Sequence, residues 1–271
     1  MKTLYISDLD GTLLRSDQKI SPFTSQTIHD LVEQGMLFSF ATARSYITAK
    51  KVTGELDARI PVVVYNGTMV VEHMDGTILL NNFFHEDVQE ILSDLFEHDI
   101  YPLVYAMVDG VEKMSYIQEK NSPGLQRFLD TRKGDIRLRP VGTVEELRYG
   151  DIFYFSCMDE MEKLKPFYEK YKENYQCILQ LDLYTKDPWL EVLPKGTSKA
   201  NAIKQLVEYF NCGKVVAFGD GVNDIEMFRM ADEAYAVENA VPELKAIATG
   251  IIGGNNDDGV AKWLAENFKA E

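Results

Sequence analysis

The chain has 271 residues, 45% hydrophobic and 26% charged, a length that suits two folded units and a composition that excludes a long disordered segment. Its formal net charge of -15, with no compensating block of Lys and Arg, argues against partners such as nucleic acid or an anionic membrane. A small anionic substrate would need a metal ion or a local cluster of cations to enter.

Taken in chain order, the apolar run Thr3 to Ser7 ends abruptly in Asp8-Leu9-Asp10-Gly11-Thr12, which reads as a buried strand delivering carboxylates to a turn. Asp8 and Asp10 arrive before any signal-peptide apolar region could form, and no stretch nears the roughly 20 apolar residues of a membrane span. Cys157, Cys177 and Cys212 form no CxxC pair and have no neighbouring His. They fit a reduced compartment, so a cytoplasmic location is expected.

Ser21-Pro22 supplies an N-cap and a first-turn proline for a helix whose Ile28, Leu31 and Val32 share one face, with Gly35 as its stop. Met36 to Ala41 and Pro61 to Tyr65 are further apolar strands that end in Thr42-Ala43-Arg44 and Asn66-Gly67-Thr68. From about Phe84 the pattern changes. A helix through Val88, Ile91, Leu92, Leu95 and Phe96 is followed by strand-like runs at Tyr101 to Val108, Lys113 to Gln118, Ile152 to Met158 and Gln176 to Leu183, the signature of an inserted α+β unit.

After Lys186-Asp187-Pro188 the first style is expected to resume, with a strand Trp189 to Leu193 and a helix capped by Thr197 or Ser198. Val215 to Phe218 is a fully apolar strand ending in Gly219-Asp220-Gly221-Val222-Asn223-Asp224. The alternation of strand and helix predicts a doubly wound, Rossmann-like α/β core of residues 1–83 plus 188–271, with a smaller α+β cap at 84–187. Ligands of such sheets bind beyond the carboxyl ends of the strands, where the acidic clusters fall.

Asp8 and Asp10, two apart, can lean to one side of a turn together. Asp220 and Asp224, four apart, can share the first turn of a helix. Four converging carboxylates would repel one another unless a hard cation such as magnesium sat among them. A calcium loop counted from Asp8 fails, because Leu13 and Lys19 stand where Gly and Glu are required. A dinucleotide site at Gly219 fails too, since Asp224 occupies the position of its last glycine.

These residues resemble the haloacid dehalogenase superfamily of phosphatases. DLDGTL from Asp8 to Leu13, Thr42 in ATAR, the lysine of KGTSKANAI and GDGVND from Gly219 to Asp224 occur in the family's order around an insertion. Ala43 stands where many relatives have Gly. Asn66-Gly67, Asp258-Gly259-Val260 and the large cap further resemble the Cof-type branch.

The resemblance implies a magnesium-dependent phosphomonoester hydrolase that acts through an aspartyl-phosphate on a small phosphorylated metabolite, a sugar phosphate or a cofactor phosphate. It assigns nucleophilic attack to Asp8 and acid–base work to Asp10. Phosphate contacts fall to the Leu9 and Ala43 amides, Thr42, Asn223 and Lys199, with Lys195 as the alternative lysine. It gives the metal to Asp8, the Asp10 carbonyl, Asp220 and Asp224, and the cap sets substrate specificity. A phosphomutase or phosphotransferase on the same scaffold is the first rival, and a non-enzymatic metal-binding regulator the second. A monomer is the default expectation.

Overall fold

The computed structural model describes residues 2–54, 56, 58–85, 88–181 and 185–270. They form two compact units, Met1–Asn81 with Ser198–Glu271, and Asn82–Thr197.

The first unit is built on a five-stranded, wholly parallel sheet in the order Gly250–Ile252, Glu233–Val237, Lys214–Gly219, Thr3–Ser7 and Leu37–Phe40. Its two central strands are buried almost end to end, which is why they read as continuous apolar runs rather than alternating ones. From Thr3–Ser7 the chain crosses through the helix Pro22–Glu33 to one edge, and from Lys214–Gly219 it winds toward the other. Right-handed crossovers in opposite directions place helices on both faces, so the switch point lies between these two strands.

Ser21 caps Pro22–Glu33 by accepting the Thr24 N–H at 3.0 Å, and Ser198, not Thr197, caps Lys199–Phe210 by accepting that of Asn201 at 3.2 Å. A small antiparallel sheet of Val62–Val64, Met69–Val71 and Ile78–Asn81 joins the parallel one through an Ala41–Val63 bridge.

The second unit is a six-stranded sheet in the order Gln176–Leu181, Pro188–Leu193, Asp151–Met158, Leu103–Val108, Val111–Ile117 and Leu138–Val141, antiparallel except for the last pair. The helices Val88–Glu97 and Met161–Tyr171 cover one face, closing a core with Val104, Phe155, Leu190 and Val192. Asp182 and Leu183, expected to end the Gln176 strand, lie outside the described residues.

One boundary is corrected. Pro188–Leu193 does not resume the parallel sheet of the first unit, because its backbone pairs antiparallel with Gln176–Leu181 on one side and Asp151–Met158 on the other. The polypeptide returns to the first unit at Ser198, ten residues after Pro188 rather than at it.

Candidate active site

Asp8 follows Ser7 at the carboxyl end of one central strand and Asp220 follows Gly219 at the end of its neighbour. The register pairs Ser7 with Phe218, and the Asp8 N–H donates to the Phe218 carbonyl at 2.9 Å. The parallel ladder thus sets the two acids side by side at the switch point. Asp8 is buried.

After Asp8 the chain makes a wide turn, Leu9–Leu13, closed by the Leu14 N–H donating to the Leu9 carbonyl at 2.8 Å. Gly11 adopts φ 77°, and a Cβ there would lie 2.3 Å from Asp220 Oδ2, so only glycine lets the turn pass over that carboxylate. Thr12 Oγ1 donates to Asp220 Oδ1 at 2.9 Å.

Lys199 opens the helix Lys199–Phe210 and is buried. Its Nζ donates to Asp8 Oδ1 at 2.5 Å and to Asp224 Oδ1 at 2.8 Å. The other oxygen of Asp224 accepts the N–H groups of Asp220 and Gly221, both at 3.0 Å. Asp224 therefore ties the loop after one strand to the lysine from another element. Lys195, the alternative, is exposed.

One oxygen each from Asp8, Asp220 and Asp224 lies within 4.8 Å of the others. Burial, only partly offset by Lys199, holds the Asp8 carboxyl well above the usual carboxylate range, with Asp224 and Asp220 adding repulsion. Burial and then Asp224 push Asp220 up to about 6. Burial works against the Lys199 charge, but Asp224 and Asp8 outweigh it, and its proton is held more tightly than in water. Three carboxylates facing one ammonium leave negative charge uncompensated, and an all-oxygen donor set of this kind fits a hard divalent cation.

Asp10 departs from expectation. Its side chain does not lean with Asp8 and is absent from the three-carboxylate cluster, so three acids converge rather than four. It is 44% exposed and gripped by the Arg44 guanidinium, with Nε to Oδ2 at 2.7 Å and one terminal nitrogen to Oδ1 at 2.6 Å. The cause is local: Asp10 and the Gly11 that follows break the helical path of the turn, with ψ 121° and φ 77° respectively.

Thr42 is fully buried, and its Oγ1 accepts the Arg44 N–H at 3.1 Å. Ala43 is exposed and stays out of the left-handed region, so replacing the usual glycine costs no backbone strain here. Leu9 is buried and Asn223 exposed.

Three residues of this region carried no functional reading in the sequence. Arg44, which as a lone arginine after a strand carries no functional mark in the sequence, is the partner of Asp10. Asn239 Nδ2 donates to the Gly11 carbonyl at 2.7 Å, and its Oδ1 accepts the Asn255 N–H at 3.0 Å. Asn255 in turn donates to the Leu14 carbonyl at 2.9 Å, so the two asparagines pin the middle of the acidic turn and the residue that follows it. Asp258, noted only as a landmark, binds the Arg15 guanidinium at 2.6 and 3.2 Å and accepts from Thr24 Oγ1 at 3.1 Å.

A parallel sheet that sets Asp8 and Asp220 at its switch point, with a lysine buried between Asp8 and Asp224, is an arrangement suited to handling a phosphoryl group, and comparison with known proteins supplies the family. A family profile described as haloacid dehalogenase-like hydrolase matches residues 5–264, and the chain belongs to that family. It is an enzyme of the phosphatase class, as its full-length relatives are.

Among these, the HMP-PP phosphatase of Yersinia enterocolitica is 27% identical over 97% of this chain and 94% of its own. The 5-amino-6-(5-phospho-D-ribitylamino)uracil phosphatase YwtE of Bacillus subtilis is 27% identical over 97% of both chains. The crystal structure of TM0651 from Thermotoga maritima superposes with a TM-score of 0.81 at 25% identity, covering 100% of this chain and 99% of that one. Among the described residues no helix is long and apolar enough to cross a membrane.

Proposed function

We propose that this enzyme is a magnesium-dependent phosphomonoester hydrolase working through an aspartyl-phosphate on Asp8. The observation that carries the reading is the Lys199 ammonium buried between Asp8 and Asp224, 2.5 and 2.8 Å from their oxygens. A lysine so placed has no need to stabilise a surface, and its fixed charge faces the point where a phosphoryl group would meet the nucleophile.

The Asp8 carboxylate attacks phosphorus and the bond to the leaving alkoxide breaks, with the alkoxide taking a proton from Asp10. Water then gives its proton to Asp10 and displaces the phosphoryl group from Asp8, which regenerates both carboxyl groups. Asp8, the Asp10 carbonyl, Asp220 and Asp224 are the groups that would hold Mg2+, which when bound would neutralise charge on the incoming phosphate. Lys199, Thr42, Asn223 and the Leu9 and Ala43 amides hold the equatorial oxygens. Arg44 grips Asp10 and orients it between turnovers.

The substrate is a small phosphorylated metabolite whose leaving group is chosen by the inserted unit. Relatives named as phosphatases of HMP-PP and of 5-amino-6-(5-phospho-D-ribitylamino)uracil support starting with cofactor phosphates and sugar phosphates. A cytoplasmic monomer is the accompanying proposal. Phosphate release from a panel of such esters, with Mg2+ and with chelator, for wild type and Asp8→Asn, tests it. Metal-dependent turnover lost in the variant supports the reading, and turnover that survives the substitution refutes it. Transfer of the phosphoryl group to an added sugar, without free phosphate, would favour a mutase instead.

A further inference from the structure

The turn Tyr65–Gly67 lies backbone to backbone against two segments that carry the proposed phosphate contacts. On one side the Asn66 N–H donates to the Thr42 carbonyl and the Tyr65 N–H to the Arg44 carbonyl, both at 2.9 Å, while the Thr42 N–H donates to Val63 at 3.0 Å. On the other side Gly67 abuts the peptide that begins the Lys199 helix. A Cβ on Gly67 would lie 2.2 Å from the Ser198 carbonyl oxygen, 2.4 Å from its carbon and 3.0 Å from the Lys199 nitrogen. These are backbone atoms, so no side-chain rotation relieves the clash.

The turn is also strained. Tyr65, Asn66 and Gly67 have φ of 50°, 53° and 96°, a left-handed run that L-residues rarely adopt in succession. Asn66 is buried, and its Oδ1 has no hydrogen-bond partner among the described residues. Strain and an unsatisfied buried acceptor persist where the surroundings over-determine them, typically at functional sites.

We infer that Asn66-Gly67 is the positioning element of the phosphoryl site: Gly67 lets the strained turn seat against Ser198 and so sets the Lys199 ammonium between Asp8 and Asp224, while the same turn fixes Thr42. The inference rests on the reading that Lys199 and Thr42 hold the transferred group. Neither Asn66 nor Gly67 need touch substrate.

The test is a double-mutant cycle on the magnesium-loaded enzyme, measuring kcat, KM and the thermal midpoint for Gly67→Ala, Lys199→Ala and the pair. Displacing the lysine by about 1 Å should lower kcat on the order of 100-fold in Gly67→Ala, with little change in KM. The pair should be no slower than Lys199→Ala by more than about threefold, because the lysine is already out of place. Independent losses that multiply would overturn the inference, since a residue that only stabilises the fold has no reason to couple to Lys199.

If Gly67→Ala does not fold, Asn66→Ala replaces it in the cycle under the same criterion. A crystal structure of the folded variant adds a readout independent of turnover. Lys199 Nζ beyond hydrogen-bond reach of Asp8 supports positioning, and an unmoved Lys199 contradicts it. Turnover persisting in Asp8→Asn would refute the aspartyl-phosphate reading alone, leaving the coupling of positions 67 and 199 to be judged on its own.

Discussion

Asp10 and Arg44 form a two-pronged ion pair, 2.6 and 2.7 Å long, two residues beyond the proposed nucleophile, Asp8. Arg44 also donates to Gln18 at 3.0 Å, so the guanidinium links Asp10 to the loop beyond the acidic turn. A partly exposed pair of this kind adds about 0–1 kcal/mol to stability. In the proposed mechanism its value lies in fixing the carboxyl group that would exchange protons. Arg44→Ala should therefore leave the thermal midpoint almost unchanged yet lower kcat roughly 10- to 100-fold, less than the roughly 10²- to 10⁴-fold ascribed to the acid–base group itself because Asp10 remains in place. Unchanged kcat would remove Arg44 from the machinery.

Lys199 is a different case because it is buried between two acids. Taking it away leaves Asp8 and Asp224 facing each other unneutralised, and breaking a buried pair typically costs about 3–5 kcal/mol. Lys199→Met should be strongly destabilised in chelator, with Mg2+ restoring part of the loss, as denaturant titration with and without metal would record. Equal stability to wild type in chelator would mean that the ammonium does not hold the cluster together.

Much of this was legible in the sequence. Thr3–Ser7 and Lys214–Gly219 were readable because both faces of a central parallel strand are buried, leaving an unbroken apolar run that stops where the acids begin. Ser21 and Ser198 declared their helices because a hydroxyl before the first turn satisfies an otherwise orphaned N–H. Trp189 to Leu193 was misassigned because an apolar strand carries no mark of its partner. Its pairing with Gln176–Leu181 and Asp151–Met158 is set by contacts in space. Arg44, Asn239 and Asn255 were missed for a related reason, since each acts on a residue distant in sequence.

The same strand yields a pH prediction. Glu191 projects opposite to Leu190 and Val192, is buried, and accepts the Tyr154 hydroxyl at 2.6 Å. Burial, partly offset by that hydrogen bond, pushes its carboxyl up to about 7. The folded protein thus binds a proton that the unfolded chain releases near pH 4.5. Stability from this group is present at low pH and is lost as pH rises toward and through 7, in total about 3 kcal/mol. Glu191→Gln keeps an acceptor for Tyr154 without the charge, and should gain stability over wild type at pH 8 but little at pH 5. A constant difference across that range would show that Glu191 titrates normally.

Metal removal gives a fourth expectation. The Asp8, Asp220 and Asp224 cluster is assembled only in the folded chain, so Mg2+ at about 100 times its dissociation constant should add about 2.7 kcal/mol of stability. Asp220→Asn should abolish most of that gain while the apo protein stays at least as stable as wild type, because one member of a repelling set has gone. An undiminished magnesium-dependent rise in the melting temperature would place the metal elsewhere.

The most direct test of the account is to trap the covalent intermediate. Wild-type enzyme quenched in acid during turnover of a phosphomonoester, reduced with borohydride and mapped by peptide mass spectrometry should show Asp8 alone converted to homoserine, the product expected from an acyl phosphate. The label should be missing when substrate or Mg2+ is withheld. Conversion at another carboxylate, or none despite steady phosphate release, would contradict Asp8 as the nucleophile.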